Sequence, residues 1–172
     1  MTAVQPIDLS PVEATAWIER ELAAARETMG QDGTVPDLDA ILDAYHRALG
    51  LALQLGPAPA EKVLVHALAT ARELARHEDA AALSALGPTL VGLVDQVRQS
   101  GSLPPTRVMD AWATIASDLG ALVGQVGLAL ALPPERRTGM LDNARTRASL
   151  LDDATHGLFE VTAWIDQLRP SP

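Results

Sequence analysis

Residues 106–132 read TRVMDAWATIASDLGALVGQVGLALAL, a stretch that opens on a threonine able to cap a helix and ends before two prolines. Large apolar side chains recur along it every three or four residues, the spacing of one face of an α-helix. The residues of this predicted core stripe are Val108, Trp112, Ile115, Leu119, Val123 and Val126. The stretch therefore predicts a long helix with one face in the core.

A flank of the same predicted helix carries small residues. They are Ala113, Ala116, Gly120, Gly124 and Gly127. Each glycine inside a helix costs about 1 kcal/mol relative to alanine, so a close contact should compensate for the three glycines. Packing within the chain, self-association and a bound ligand all fit such a contact. Self-association through Ala116, Gly120, Gly124 and Gly127 predicts a homodimer, with a protein partner or a small ligand as alternatives.

Helix patterns cover most of the remaining chain, and no convincing strand pattern is present. Ser10 and Glu13 have the spacing of a capping box, and Asp37 and Asp79 stand where further helices would begin. The turn-rich segment 30–36 is expected to end the first helix. The predicted helices cover residues 11–29, 38–55, 59–77, 80–99 with a break at Gly87-Pro88, 106–132, and a last helix from Glu135 or Thr138 to Leu168.

The short connections between these helices favour antiparallel neighbours. The sequence therefore predicts an all-α protein, a single-domain antiparallel bundle of five to seven helices over residues 1–172. Its long C-terminal helix is interrupted in pattern only at Gly157, and the tails 1–9 and 169–172 are expected to fray. The residues expected in the core include Ile18, Leu22, Leu42, Trp112, Ile115, Leu119 and Phe159.

The composition disfavours several classes of function. Because the chain contains no cysteine, it has no disulfide framework, thiol nucleophile or thiolate zinc site. Its 13 Lys and Arg against 22 Asp and Glu give a net charge of −9, a field that repels nucleic-acid phosphates and anionic lipid. The most apolar run, 119–132, is shorter than the roughly 20 residues that span a bilayer. We therefore expect neither a nucleic-acid nor a membrane partner.

The start of the chain, MTAVQPIDLS, lacks the basic and apolar regions of a secretory signal, so a cytoplasmic location is expected. The sequence also lacks the phosphate-loop, dinucleotide-binding, zinc-protease and serine-hydrolase motifs. Their absence argues against the familiar forms of those chemistries, and it leaves the titratable side chains of the helices as candidates.

Two rows of carboxylates and histidines are the candidate catalytic residues. Glu73 and His77 lie one turn apart on the third predicted helix, and Asp152, His156 and Glu160 are spaced by turns on the last one. If the rows converge, they would supply acid–base groups or metal ligands. The Glu-x-x-His pattern of ferritin-like di-iron bundles is absent, so no metal ligand is assigned and the cofactor is unknown. The alternative is that both rows are solvated ion pairs.

A basic cluster stands out locally in this acidic chain. It consists of Arg136, Arg137, Arg145 and Arg147. The cluster could bind an anionic group near the start of the last predicted helix, where free backbone amides already favour negative charge. It could equally balance acidic neighbours, which is the interpretation we favour from the sequence.

These features predict a cytoplasmic helical module that acts by binding, either in interaction or in regulation, and forms a homodimer. The alternative is a helical-bundle enzyme or small-ligand-binding protein with a carboxylate and histidine site between the third helix and the C-terminal helix. A third hypothesis treats the acidic surface as a recognition site for a basic partner. Neither the ligand nor a reaction follows from the sequence.

Overall fold

The computed structural model describes residues 9–29 and 37–169. These residues form seven α-helices and no strand, which confirms the predicted all-α class. The helices are α1 (Pro11–Met29), α2 (Leu38–Leu55), α3 (Pro57–Arg76), α4 (Ala80–Ser100), α5 (Arg107–Leu130), α6 (Pro134–Ala154) and α7 (Val161–Leu168).

The chain divides into two compact units. Unit 1 comprises Met1–Ala67 and Thr89–Ala116, and unit 2 comprises Leu68–Pro88 and Ser117–Pro172. The boundaries fall inside α3, α4 and α5, so each of these helices contributes to both units. The organisation of the whole chain as a single domain stays a prediction.

The helix starts confirm the predicted capping residues. At Asp37, Asp79 and Thr106 a side-chain oxygen accepts a hydrogen bond from the backbone amide three residues further on, at 3.2, 3.0 and 3.1 Å. Ser10 and Glu13 form the reciprocal capping box, in which the Ser10 amide donates to Glu13 Oε2 at 3.0 Å. The serine contacts hold the pKa of Glu13 below its ordinary value. The predicted helix end at 30–36 and the tails 1–8 and 170–172 lie outside the described residues.

In unit 1, α1 packs along α2. Ile18 and Leu22 are buried on α1, as its apolar stripe predicts. On the solvent side Arg47 of α2 pairs with Glu21 of α1 at 2.8 Å. The buried apolar face of α1 and its charged, solvent-facing side therefore both follow from the amphipathic pattern of this helix.

A buried tyrosine joins α2 to α3 in the same unit. The hydroxyl of Tyr45, a fully buried residue, is hydrogen-bonded to Nδ1 of His66 and also donates to the His66 carbonyl oxygen at 3.2 Å. Burial lowers the pKa of His66, and the guanidinium of Arg26 lowers it further. The folded protein therefore favours the neutral imidazole.

This burial predicts a loss of stability in mild acid. Because the pKa of His66 is lower in the folded than in the unfolded state, its stabilising contribution is complete above the unfolded value of about 6.5 and is lost as pH falls through the folded pKa. Urea unfolding at about pH 7.5 and about pH 5 should show a smaller pH-dependent loss in His66→Asn than in the wild type. His46→Asn controls for the removal of a histidine. An equal loss in His66→Asn and the wild type would refute the assignment.

The predicted break at Gly87-Pro88 is wrong, because α4 runs through both residues. Gly87 lies against the backbone of α5 in unit 2: a Cβ atom built on it would lie 2.5 Å from the Gly120 carbonyl oxygen and 2.3 Å from the Gly124 nitrogen. The close contact of the two helices keeps this segment helical despite the missing proline amide.

The small-residue flank of α5 faces the interior. Gly124 lies beside Gly87 and Pro88, and a Cβ on Gly127 would lie 2.5 Å from the Ser84 nitrogen. Ala113 and Ala116 are buried as well. Packing within the chain therefore supplies the close contact that the glycines required. Self-association through this flank stays a prediction, and a dimer would have to form on a flank whose glycines already contact α4.

The buried face of α5 differs in part from the predicted core stripe. Leu119, Val123 and Val126 are buried as predicted, but Val108 is 53% exposed. Trp112 and Ile115 are half-buried, as is Leu42 of α2. The helix is turned so that its glycines contact α4 and Met109 is buried, whereas the predicted stripe before Leu119 is exposed or half-buried. Of the other expected core residues, Phe159 is buried.

The predicted long C-terminal helix is two helices, α6 and α7. At the end of α6 the Gly157 amide donates to the Asp152 carbonyl at 2.7 Å and the His156 amide to the Asp153 carbonyl at 3.3 Å. This is a Schellman motif, with His156 in the left-handed position at φ 53°. Glu160, at φ 48°, redirects the chain into α7.

Among residues 9–29 and 37–169, two helices, α4 and α5, are long and apolar enough to cross a membrane by length and composition. In each helix one 18-residue window satisfies this criterion, and the buried share of that window is 44% in α4 and 61% in α5. The core helix of a globular protein meets the same criterion, so the evidence for a membrane span is weak. A cytoplasmic location without a membrane partner stays a prediction.

Candidate functional site

The predicted row of Glu73 and His77 is formed at the end of α3, with His77 as the first residue after the helix. Nε2 of His77 lies 2.9 Å from Oε1 of Glu73, and Arg76 pairs with the same carboxylate oxygen. The contacts with His77 and Arg76 hold the pKa of Glu73 below its ordinary value. The carboxylate is therefore shared between two basic side chains at the edge of unit 2.

The predicted row of Asp152, His156 and Glu160 is not formed, because α6 ends at Ala154. The Asp152 side chain instead accepts hydrogen bonds from the first amides of α7, and exposed His156 and Glu160 occupy the turn between the helices. Within 9–29 and 37–169, no three histidine, aspartate or glutamate side chains are placed to hold a metal. A catalytic role for the five residues stays a prediction.

Asp152 is expected to hold α7 in place. Its Oδ1 accepts from the Val161 amide at 2.9 Å and its Oδ2 from the Thr162 amide at 2.8 Å. Asp152→Ala leaves both amides without these partners and should lower the free energy of unfolding by about 1–2 kcal/mol. Hydrogen exchange should also become faster in α7, whereas Asp153→Ala, at the exposed neighbour, should leave it unchanged. Equal exchange rates in the two variants would contradict this role.

A pocket of about 620 Å³ lies between α3 and α7 in unit 2. We call it the α3–α7 pocket. Its walls come from α3, the following turn, the end of α5, the start of α6, and α7. The lining residues are Ala69, Arg72, Glu73, Ala75, Arg76, Glu78, Leu130, Arg137, Trp164, Gln167 and Leu168. Small-molecule sites usually measure roughly 300–1,000 Å³, so the pocket has a suitable size.

Arg72 crosses from α3 to the segment that precedes α7. Its Nη2 donates to the carbonyl oxygens of Phe159 at 2.6 Å and Glu160 at 3.3 Å. Its Nε is buried and has no hydrogen-bond partner. A buried guanidinium N–H of this kind is costly unless a further acceptor reaches it.

Arg137 closes the other side of the pocket. Its Nε donates to the Leu132 carbonyl at 2.9 Å and its Nη2 to the Leu130 carbonyl at 3.1 Å, which satisfies the end of α5. The nearest carboxylate is Glu78, 3.8 Å from Nη1. Of the basic cluster noted in the sequence, Arg137 thus lines the pocket, whereas Arg145 pairs with Asp166 of α7 at 2.7 Å.

Sequence reasoning identified Glu73 and the basic cluster but missed the pocket. The spacing of Arg72 and Arg76, one turn apart on α3, was a visible signal. No sequence signal indicated Trp164 as a pocket residue, because its position depends on the turn that starts α7. The pocket lies where the alternative hypothesis placed a site, between the third and last helices, but it is lined by arginines in place of histidines. No protein-family model matches the chain, and neither does any curated protein or any solved structure.

Proposed function

We propose that the protein binds a small organic ligand in the α3–α7 pocket. The observation that supports this function is the combination of an apolar wall, formed by Trp164 and Leu130, with the guanidinium groups of Arg72 and Arg137. Small-molecule sites typically combine apolar walls with a few polar groups that orient the ligand. The proposal is a form of the helical binding module predicted from the sequence.

The three tryptophans allow a direct test of binding at this pocket. Trp164 lines it, whereas Trp17 and Trp112 belong to unit 1 and supply internal references. Protein labelled with 5-fluorotryptophan is titrated with a fragment set that contains neutral, cationic and anionic members. Trp164→Phe assigns the ¹⁹F resonance of Trp164.

We expect some fragments to shift the Trp164 resonance saturably and to leave the other two in place. Ala69→Phe should abolish these shifts, because Ala69 lines the pocket at an exposed position where a larger side chain can fill it. Ala111→Phe, on an exposed site of α5 outside the pocket, is the matched control. If no fragment moves Trp164 selectively, or if Ala69→Phe binds as the wild type does, the proposed function is wrong.

A further inference from the structure

The hydrogen bonds of two pocket arginines, Arg72 and Arg137, do not neutralise their charge. Arg72 and Arg137 donate to main-chain carbonyls, which satisfy N–H groups but carry no net charge. Arg137 has a side chain only 20% exposed, and the nearest carboxylate, Glu78, is 70% exposed and 3.8 Å away. A carboxylate so well solvated offsets little of the guanidinium charge.

The α3 wall adds to this positive charge. Arg76 pairs with Glu73, but that carboxylate is also bound by His77. Three guanidinium groups thus line the pocket against two carboxylates, in a chain whose net charge is −9. The positive excess is a local feature of this pocket.

The remaining wall is apolar. Trp164, Leu130 and Ala75 are buried lining residues, and exposed Ala69 and half-buried Leu168 supply apolar surface that is open to water. An ion carrying only charge would leave this wall in contact with water. A ligand with an apolar body would bury it, and the gain grows with the area removed from water.

We propose that the ligand of the α3–α7 pocket is an organic anion, whose carboxylate or phosphate head group lies beside Arg72 and Arg76 and whose apolar body packs against Trp164. This inference rests on the proposed function and names its ligand class. Arg72 and Arg76 both line the pocket, and guanidinium groups bind carboxylate and phosphate oxygens with charge-assisted hydrogen bonds.

The class of ligand is tested by titrating four probes into protein labelled with 5-fluorotryptophan. Octanoate, octanamide and octylammonium share an alkyl chain and differ in charge, and inorganic phosphate supplies an anion without the chain. We expect octanoate to shift the Trp164 resonance with the highest affinity of the four. Octyl phosphate in a second titration compares the two head groups, and tighter binding of either anion than of octanamide and octylammonium supports the inference.

Two substitutions on α3 should change octanoate affinity in opposite directions. Arg76→Gln removes a positive charge and should weaken binding roughly threefold, whereas Glu73→Gln removes the competing carboxylate and should strengthen it roughly threefold. Arg72→Gln should weaken it at least about tenfold. Arg136→Gln and Glu135→Gln, exposed and outside the pocket, are the matched controls and should bind as the wild type does.

The outcomes separate this inference from the proposed function. If octanamide or octylammonium binds as tightly as octanoate, or if neither octanoate nor octyl phosphate moves Trp164, the anion assignment is wrong. Other fragments that move Trp164 selectively would leave the proposed function standing. If inorganic phosphate binds as tightly as octyl phosphate, the inference that the ligand has an apolar body is wrong. If Arg76→Gln and Glu73→Gln change affinity in the same direction, the charge argument fails whether or not Arg72→Gln folds.

Discussion

Gly87→Ala is expected to lower the free energy of unfolding by at least about 3 kcal/mol, the upper end of the usual cost of overpacking. The added Cβ would lie 2.3 Å from the Gly124 nitrogen and 2.5 Å from the Gly120 carbonyl oxygen. Both are backbone atoms, so they cannot move aside as the end of a side chain can, and α4 and α5 must separate. Denaturant unfolding followed by circular dichroism measures the loss.

Gly92→Ala is the matched control for this substitution, because Gly92 lies on the same helix with no heavy atom within 4 Å of its added Cβ. Alanine is the better helix former, so this variant should gain up to about 1 kcal/mol. Opposite signs at the two positions would show that the clash, not helix propensity, decides the result. If Gly87→Ala is as stable as Gly92→Ala, the close contact between α4 and α5 is wrong.

Leu119→Ala should lower the free energy of unfolding by about 2–5 kcal/mol, because it removes apolar surface and leaves a cavity. Leu119 is 0% exposed on α5. On the same helix Leu128 is 57% exposed, so Leu128→Ala should change stability by no more than about 0.5 kcal/mol. Equal losses in the two variants, measured by urea unfolding, would contradict the orientation of α5.

The sequence-based predictions succeeded where local chemistry decides the structure. The caps at Ser10, Asp37, Asp79 and Thr106 depend on a side chain and the amides within the next turn, so their spacing was enough. The same local rules fail at Pro88, where the preference against helix is opposed by contacts with a helix distant in sequence. Tertiary packing there overrides propensity.

The orientation of α5 shows the same limit. Large apolar residues usually face the core, so the stripe from Val108 was predicted to be buried. The observed core face also contains Gly120 and Gly127, and at Gly127 the backbone of α4 approaches too closely for a larger side chain. Glycine spacing predicted a close contact but could not identify α4 as the partner.

The site was predictable in part. Glu73 and His77 form a pair because His77, the first residue after α3, keeps helical spacing: its amide donates to the Glu73 carbonyl oxygen at 3.2 Å. The row from Asp152 to Glu160 failed, since helical spacing cannot reveal that His156 adopts the left-handed position of a helix end. The α3–α7 pocket depends on that turn, which brings Trp164 to the pocket lined by Arg72.

Intermolecular nuclear Overhauser effects between bound octanoate and the protein test the central claim most directly, because they locate the ligand. The account predicts contacts from the alkyl protons to the indole ring of Trp164 and to the side chain of Leu168, both of which line the pocket. These contacts should disappear in Ala69→Phe. Contacts from saturating octanoate to Trp17 or Trp112 of unit 1, with none to Trp164, would contradict the account.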